Sequence, residues 1–525
     1  MPSCGETVAG LLEQMGASTV FGIPGVHTLE IYRGLSRSGV RHIAPRHEQG
    51  AAFMADGWAR VRGEFGVCTL IGGPGLTNAI TPIAQAYHDS IPMLVISGAV
   101  PARDRDRGEI HDLPDQQALM ATVTAFSHTV TDPAELPAVL GRAAEVFASR
   151  RPRPVHVSLP LDVIGRPAEA PAAPPAPGPR PRAPHDLVAA AAARLAPAQR
   201  PLILLGGGAQ DAGEPALALA RRLGAPIGLT INGRGAVPDD DPLCLGSALS
   251  FPPVDDLLRD ADATVLVGAQ LSDLELWGLS EPLALPGLVR IDIDPEQLQR
   301  RWPAEVALCG DAAATLRDLL AALGGEADSA RLPSVGERVA LARARLRPPP
   351  EVARFAALLG VLDRVLPADR IVAGDSTQPV YAANHLLPMA RPRSWLMPIG
   401  YGCLGCALPM AIGAKLAAPE RPVLALAGDG GFLFTVQELA TLRDLGLPVV
   451  TLVYNNHGYG EIREAMDHAR IGHLGTDAGM HDLPAVARGF GIDAASVATL
   501  PDLEDALLTA LRADGPTVIE YVEQA

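Results

Sequence analysis

The feature that most constrains this chain is a repeated unit: a short apolar run that closes on glycine and leads into a helical stretch. Val67-Cys68-Thr69-Leu70-Ile71 runs into Gly72-Gly73, Leu202-Ile203-Leu204-Leu205 into Gly206-Gly207-Gly208, and Val423-Leu424-Ala425-Leu426-Ala427 into Gly428-Asp429-Gly430. None of these runs alternates cleanly between apolar and polar residues. Each predicts a strand buried on both faces, as in a parallel sheet with helices on each side. Further runs fall at 19–21, 93–96, 155–159, 263–267, 288–293, 371–373, 449–454 and 517–521. They cluster in three blocks, and 525 residues are too many for one core. The prediction is α/β throughout, with three doubly wound parallel-sheet domains over residues 1–165, 186–325 and 351–525. Between them, 166–185 is dense in Pro and Ala and predicts an extended linker, and 326–350 predicts a second, polar linker ending in prolines.

Charge and composition exclude whole function classes. A formal net charge of −16 with no basic stripe argues against nucleic acid as a partner. No apolar run suits a membrane span, and the N-terminus lacks the basic and apolar regions of a signal peptide. Cysteines scattered at 4, 68, 244, 309, 403 and 406 suit a reducing, cytoplasmic setting. Cys403 and Cys406 have the spacing of a redox or zinc pair. No second pair or His partner accompanies them, so two small residues packed near a ligand is the preferred reading.

The sharpest motif is split between two strand ends. Gly428-Asp429-Gly430 closes one apolar run, and Asn455-Asn456 closes the next. In open α/β sheets, ligands bind at the carboxyl ends of strands. A carboxylate and an amide held there offer oxygens to a hard cation, and the glycines let the backbone approach phosphate. The pattern predicts a Mg²⁺–diphosphate clamp. It resembles the thiamine-diphosphate (ThDP) signature of the acetolactate synthase and 2-oxo-acid decarboxylase superfamily. The three blocks likewise resemble that superfamily's pyrimidine-binding, central and diphosphate-binding domains. The resemblance implies that Asp429, Asn456 and the Gly458 carbonyl ligate Mg²⁺, with Gly430, Gly431 and Tyr459 also at the cofactor.

Other roles follow from the same resemblance. Glu48, in His47-Glu48-Gln49-Gly50-Ala51-Ala52 at a helix start, matches the Glu that hydrogen-bonds N1′ of the aminopyrimidine. Position 51 is Ala, so this is no HExxH zinc site. A carboxylic acid there can share its proton with N1′, favouring the imino form that deprotonates thiazolium C2. By residue type alone, Glu48 is equally a solvated first-turn carboxylate. Thr77 and Asn78 match a loop lining the pyrimidine and substrate pocket, with a helix N-cap as the alternative. Thr377 and Gln378 match diphosphate-binding positions at a helix N-terminus. Gly402 and Leu404 match the stretch that meets the aminopyrimidine, Leu404 as the apolar prop that bends the cofactor. Active sites shared between the subunits of a homodimer or homotetramer are also implied.

Departures from the superfamily choose between its branches. The stretch Gly268-Ala269-Gln270-Leu271-Ser272-Asp273-Leu274 lacks the arginines with which acetolactate synthases help hold FAD. FAD is therefore not expected, and acetolactate-type carboligation becomes the alternative to decarboxylation. Phe21-Gly22-Ile23-Pro24-Gly25-Val26-His27 and Asn455-Asn456-His457-Gly458-Tyr459-Gly460-Glu461 look most like the 5-guanidino-2-oxopentanoate decarboxylases. That likeness implies a small-molecule 2-oxo acid with a cationic tail, split into CO₂ and an aldehyde. His27 and His111 are candidate proton donors, with structural histidines as the alternative. Glu461 is the first candidate to meet a cationic tail or relay protons, with a plain helix-start carboxylate as the alternative. Asp112 or Asp115 comes second.

Overall fold

A computed structural model describes residues 1–169, 173–277, 279, 283–325, 332–477 and 481–524. Parts of both expected linkers, 170–172 and 326–331, lie outside the described residues. Three six-stranded sheets are present, with helices between their strands. In spatial order the first runs Arg41–Ile43, Thr19–Gly22, Gly66–Leu70, Met93–Ala99, Pro154–Pro160, Phe126–Thr129. The second runs Val306–Cys309, Val289–Asp292, Ala263–Val267, Pro201–Leu205, Ile227–Leu229, Cys244–Gly246. The third runs Trp395–Leu396, Ile371–Gly374, Val423–Gly428, Val449–Asn455, Thr517–Val522, Asp493–Val497. Strand pairing is parallel in all three, as the unbroken apolar runs require.

Packing divides the chain into two compact units. One comprises Met1–Pro179, Val372–Thr377 and Gly400–Ala525, the other Arg180–Ile371 and Gln378–Ile399. The first sheet and most of the third therefore belong to the same unit. There, helix Glu48–Arg62 crosses helix Ala407–Ala417 through glycines. A Cβ on Gly57 would collide with the Met410 carbonyl, and one on Gly413 with the Met54 carbonyl. Backbones this close leave no room for a side chain.

One expectation is corrected. Leu332–Ala344, read as part of a polar linker, is a helix with Val335, Val339 and Ala342 buried. Their i, i+4, i+7 spacing is a narrow apolar stripe, obscured in the sequence by the flanking arginines and prolines. Residues 173–184 carry no helix or strand, in keeping with an extended linker. No described helix is long and apolar enough to cross a membrane.

Candidate active site

Strand order places the site. In the first sheet, Thr19–Gly22 has Arg41–Ile43 on one side and Gly66–Leu70 on the other. In the third, Ile371–Gly374 lies between Trp395–Leu396 and Val423–Gly428. Where order reverses in this way, a crevice opens at the carboxyl ends of the strands. The site candidates follow these ends: His27, Glu48, Thr77, Asn78 and His111 in the first sheet, and Thr377, Leu404, Asp429 and Asn456 in the third.

At the expected clamp, Gly428 pairs in register with Tyr454, so Asp429 and Asn455-Asn456 emerge from adjacent strands. Asp429 is buried, and its Oδ2 accepts the Gly458 N–H at 2.8 Å. Burial raises its pKa, while the Gly430 and Gly458 N–H groups oppose that shift. Gly458 has φ +133°, a conformation that glycine alone adopts readily. Asn455 is buried and already engaged: Nδ2 donates to Glu520 at 2.7 Å, and Oδ1 accepts the His457 N–H at 2.9 Å. Asn456, half-buried, is the second amide at this strand end. A Cβ on Gly430 would meet the Tyr459 ring at 2.6 Å, and one on Gly428 the Thr377 hydroxyl at 2.7 Å. Thr377, Tyr459 and the glycine turn thus pack together. Gln378 is buried and opens helix Gln378–Leu386. Among the described residues, no three His, Cys, Asp or Glu side chains converge on a metal position. A cation at Asp429 would take one carboxylate and neutral oxygens from the protein, and would need diphosphate oxygens to fill its shell. The donor set fits Mg²⁺ held jointly with a diphosphate.

Around Glu48 the chain is held from several directions. His47 caps the helix, its Nδ1 accepting the Gln49 N–H at 3.1 Å. Glu438, buried, accepts the Arg46 N–H at 3.1 Å and the His47 N–H at 3.0 Å. Glu48 is half-buried, and its Oε2 accepts Asn78 Nδ2 at 3.0 Å. Thr77 and Asn78 are not an N-cap. They end the short helix Pro74–Asn78, with Thr77 Oγ1 donating to the Pro74 carbonyl at 3.0 Å. Gly73, at φ +63°, donates to Gln116 Oε1 at 3.3 Å. Gln116 in turn donates to Ser97, Gly98 and Ser158.

His27 is buried, and its ring lies 4.8 Å from that of His111, edge to face. Burial, and secondarily His111, lower the His27 pKa. His27 Nδ1, His111 Nδ1 and Asp112 Oδ1 are buried with no hydrogen-bond partner among the described residues. Buried polar atoms are nearly always satisfied, so these three call for a further polar partner, water or ligand. Asp115 is committed elsewhere, capping helix Gln116–Ala121 through the Ala118 N–H. Glu461 is exposed on the first turn of helix Gly460–Ala469.

Gly402 and Gly405 both have positive φ, +69° and +79°, and bracket a half-buried Leu404. Cys403 and Cys406 are free and buried; burial pushes the Cys403 thiol up to about 12 and the Cys406 thiol well above its usual range. They are neutral thiols, which suits packing rather than redox chemistry. Glu438 and Gln116 were not anticipated from the sequence. Neither sits in a motif, and their partners come from distant segments.

Parallel α/β sheets with glycine turns at their strand ends, one of them setting Asp429 beside Asn455-Asn456, suit the binding of a phosphorylated cofactor. The family described as thiamine pyrophosphate enzyme matches in three parts: an N-terminal TPP binding domain over residues 2–119, a central domain over 188–319 and a C-terminal TPP binding domain over 375–521. The chain belongs to the thiamine pyrophosphate enzymes. Over 99% of its length it is 45% identical to a probable 2-ketoarginine decarboxylase, AruI, of Pseudomonas aeruginosa, covering 93% of that protein. It is 32% identical to a probable acetolactate synthase large subunit of Methanocaldococcus jannaschii, over 98% of this chain and 91% of the relative. It is 31% identical to the acetolactate synthase isozyme 1 large subunit of Escherichia coli, over 98% and 92%. The resemblance expected from the sequence holds, and thiamine diphosphate is the cofactor for which these domains are built.

Proposed function

We propose that the enzyme decarboxylates a 2-oxo acid with a cationic tail, 5-guanidino-2-oxopentanoate or a close analogue, to CO₂ and an aldehyde. The observation that carries this reading is the set of unmet buried polar atoms on His27, His111 and Asp112. The substrate class is supported by the 45%-identical relative, whose name gives 2-ketoarginine, the same compound.

Bound thiamine diphosphate supplies the carbon nucleophile and the electron sink for loss of CO₂. The protein's part is to hold, orient and move protons. Glu48, steadied by Asn78, keeps a proton at pyrimidine N1′. Asp429, Asn456 and the Gly458 carbonyl would hold Mg²⁺, with Thr377, Gln378, Gly430, Gly431 and Tyr459 about the diphosphate. Thr77, Gly402 and Leu404 would line the pyrimidine side. His27 and His111, with rings 4.8 Å apart, would return a proton to the product carbon in this reading. Asp112 has the unmet oxygen that a guanidinium's forked donors would satisfy, and is preferred over the exposed Glu461. Glu48 is half-buried in the single chain, so a dry pocket there needs further cover. A second copy, in a homodimer or homotetramer, supplies it in this reading.

The test is CO₂ release from a panel of 2-oxo acids offered to the holoenzyme. The guanidino acid should be preferred over a neutral acid of equal length. Asp112→Asn should raise its KM about tenfold or more and barely affect the neutral acid. Preference for pyruvate or an aromatic 2-oxo acid would overturn the substrate assignment. A condensed product on adding an acceptor aldehyde would favour carboligation, the activity named for the acetolactate synthase relatives.

A further inference from the structure

We propose that Asp375 is a positioning residue that ties the loop presenting Leu404 to the diphosphate-binding turn, so that one carboxylate sets the bend of the cofactor. The proposal rests on the ThDP reading above and adds a residue to it. Asp375 follows strand Ile371–Gly374 and is fully buried. Both its oxygens lie 2.9 Å from the Gly405 nitrogen, and Oδ1 also accepts the Ser376 N–H at 2.8 Å. Cys406 Sγ is 3.8 Å from the same oxygen. A Cβ on Gly431 would meet Oδ2 at 2.5 Å, so the glycine turn packs directly on the carboxylate. Three segments therefore meet at Asp375: Ser376-Thr377, the Gly428–Gly431 turn, and the loop 400–406.

That loop needs outside anchors. It has no helix or strand of its own, and two left-handed glycines bracket Leu404. Its shape is set by what fastens its ends. Gly405 is fastened on both sides. Its N–H goes to Asp375, and its carbonyl accepts Thr435 Oγ1 at 2.8 Å. Thr435 closes helix Asp429–Phe434, which begins at the candidate metal ligand. At the other end, the Gly400 N–H donates to Asp89 at 2.8 Å, and Asp89 is paired with Arg60. The Leu404 prop is thus bolted to the elements that would grip diphosphate and metal. A carboxylate suits the post because it accepts several N–H groups and donates none. Among the described residues Asp375 forms no ion pair, so its partners are the loop and turn themselves. An asparagine would turn an N–H against one of these donors.

The experiment compares Asp375→Asn and Thr435→Val with wild type, each supplied with ThDP and Mg²⁺. Calorimetry gives ThDP affinity, circular dichroism of the bound cofactor reports its aminopyrimidine tautomer, and kinetics separate kcat from KM. Asp375→Asn should keep most of its ThDP affinity, lose the native tautomer signal and drop kcat by about tenfold to a hundredfold. Thr435→Val should shift both in the same direction, less far. An unchanged tautomer signal and kcat in both variants would overturn the proposal. So would a lowered melting temperature with the native signal intact, since that is a purely structural role. If Asp375→Asn does not fold, Thr435→Val decides alone. Wild type that binds no ThDP would overturn the cofactor reading first, and the wild-type titration separates that outcome from the others.

Discussion

Replacing Glu48 by glutamine exchanges one carboxylate oxygen for an amide nitrogen in a half-buried side chain whose Oε2 accepts Asn78 Nδ2 at 3.0 Å. Glutamine keeps one oxygen, so rotating the terminal group preserves the Asn78 contact. The His47 cap and the Glu438 contacts at the same helix start do not use the Glu48 side chain. Stability should therefore move by no more than about 0.5 kcal/mol. The chemical loss is much larger. An amide has no proton to share with a pyrimidine nitrogen, and losing a positioned acid costs about 10²–10⁴ in rate. At 1.36 kcal/mol per factor of ten, that is about 3–5 kcal/mol of barrier. The assay is exchange of the cofactor's C2–H in D₂O, quenched in acid and read by NMR, with ThDP affinity and Tm measured in parallel. Glu48→Gln should bind ThDP, melt as wild type does and exchange at least a hundredfold more slowly, about the low end of that range. Exchange at the wild-type rate with ThDP bound would remove Glu48 from the activation step. A large fall in Tm would refute the claim that its side chain has no structural duty.

Asp429→Ala removes the carboxylate of the clamp and strands the Gly458 N–H. ThDP binding should be lost in the variant, and lost by wild type in EDTA; full affinity by calorimetry in EDTA would refute the cation clamp. Inactive Glu48→Gln and Asp429→Ala chains, mixed, should regain part of the activity if each cofactor lies between two copies. No recovery despite proven subunit exchange would mean that each chain builds its own site. Gly57→Ala drives a methyl into the Met410 carbonyl at the helix crossing. The helix gains about 1 kcal/mol of propensity, but overpacking costs about 1–3 kcal/mol or more, so Tm should fall. A raised Tm would show that the crossing has room for a side chain.

The fold was legible in proportion to burial. The apolar runs at 67–71, 263–267 and 423–427 correspond to Gly66–Leu70, Ala263–Val267 and Val423–Gly428, each with a neighbour on both sides. The strands passed over include every sheet edge: Arg41–Ile43 and Phe126–Thr129, Val306–Cys309 and Cys244–Gly246, Trp395–Leu396 and Asp493–Val497. An edge strand is often short, has one partner and keeps part of its surface wet. Asp493–Val497 has no fully buried residue, so its residues carry no apolar run to read. Its neighbour's backbone makes it a strand. Helix Leu332–Ala344 was missed for a related reason, since its buried stripe is only three residues wide.

The sequence by itself determined the repeated α/β unit, the strand-end motifs and, through them, the cofactor family. These rest on local runs and fixed spacing: an apolar run must be buried whatever surrounds it, and a glycine turn closes where the strand ends. Tertiary structure decided which polar groups work together. Glu438 reaches the Arg46 N–H across 392 residues of chain, and His27 meets His111 although a third strand separates the two strands they follow. Asp375 stands two residues before Thr377, yet nothing local shows that it would fasten Gly405. A carboxylate or imidazole takes its role from desolvation and from the donors aimed at it. Both are supplied by segments distant in sequence, so they exist only once the chain has folded.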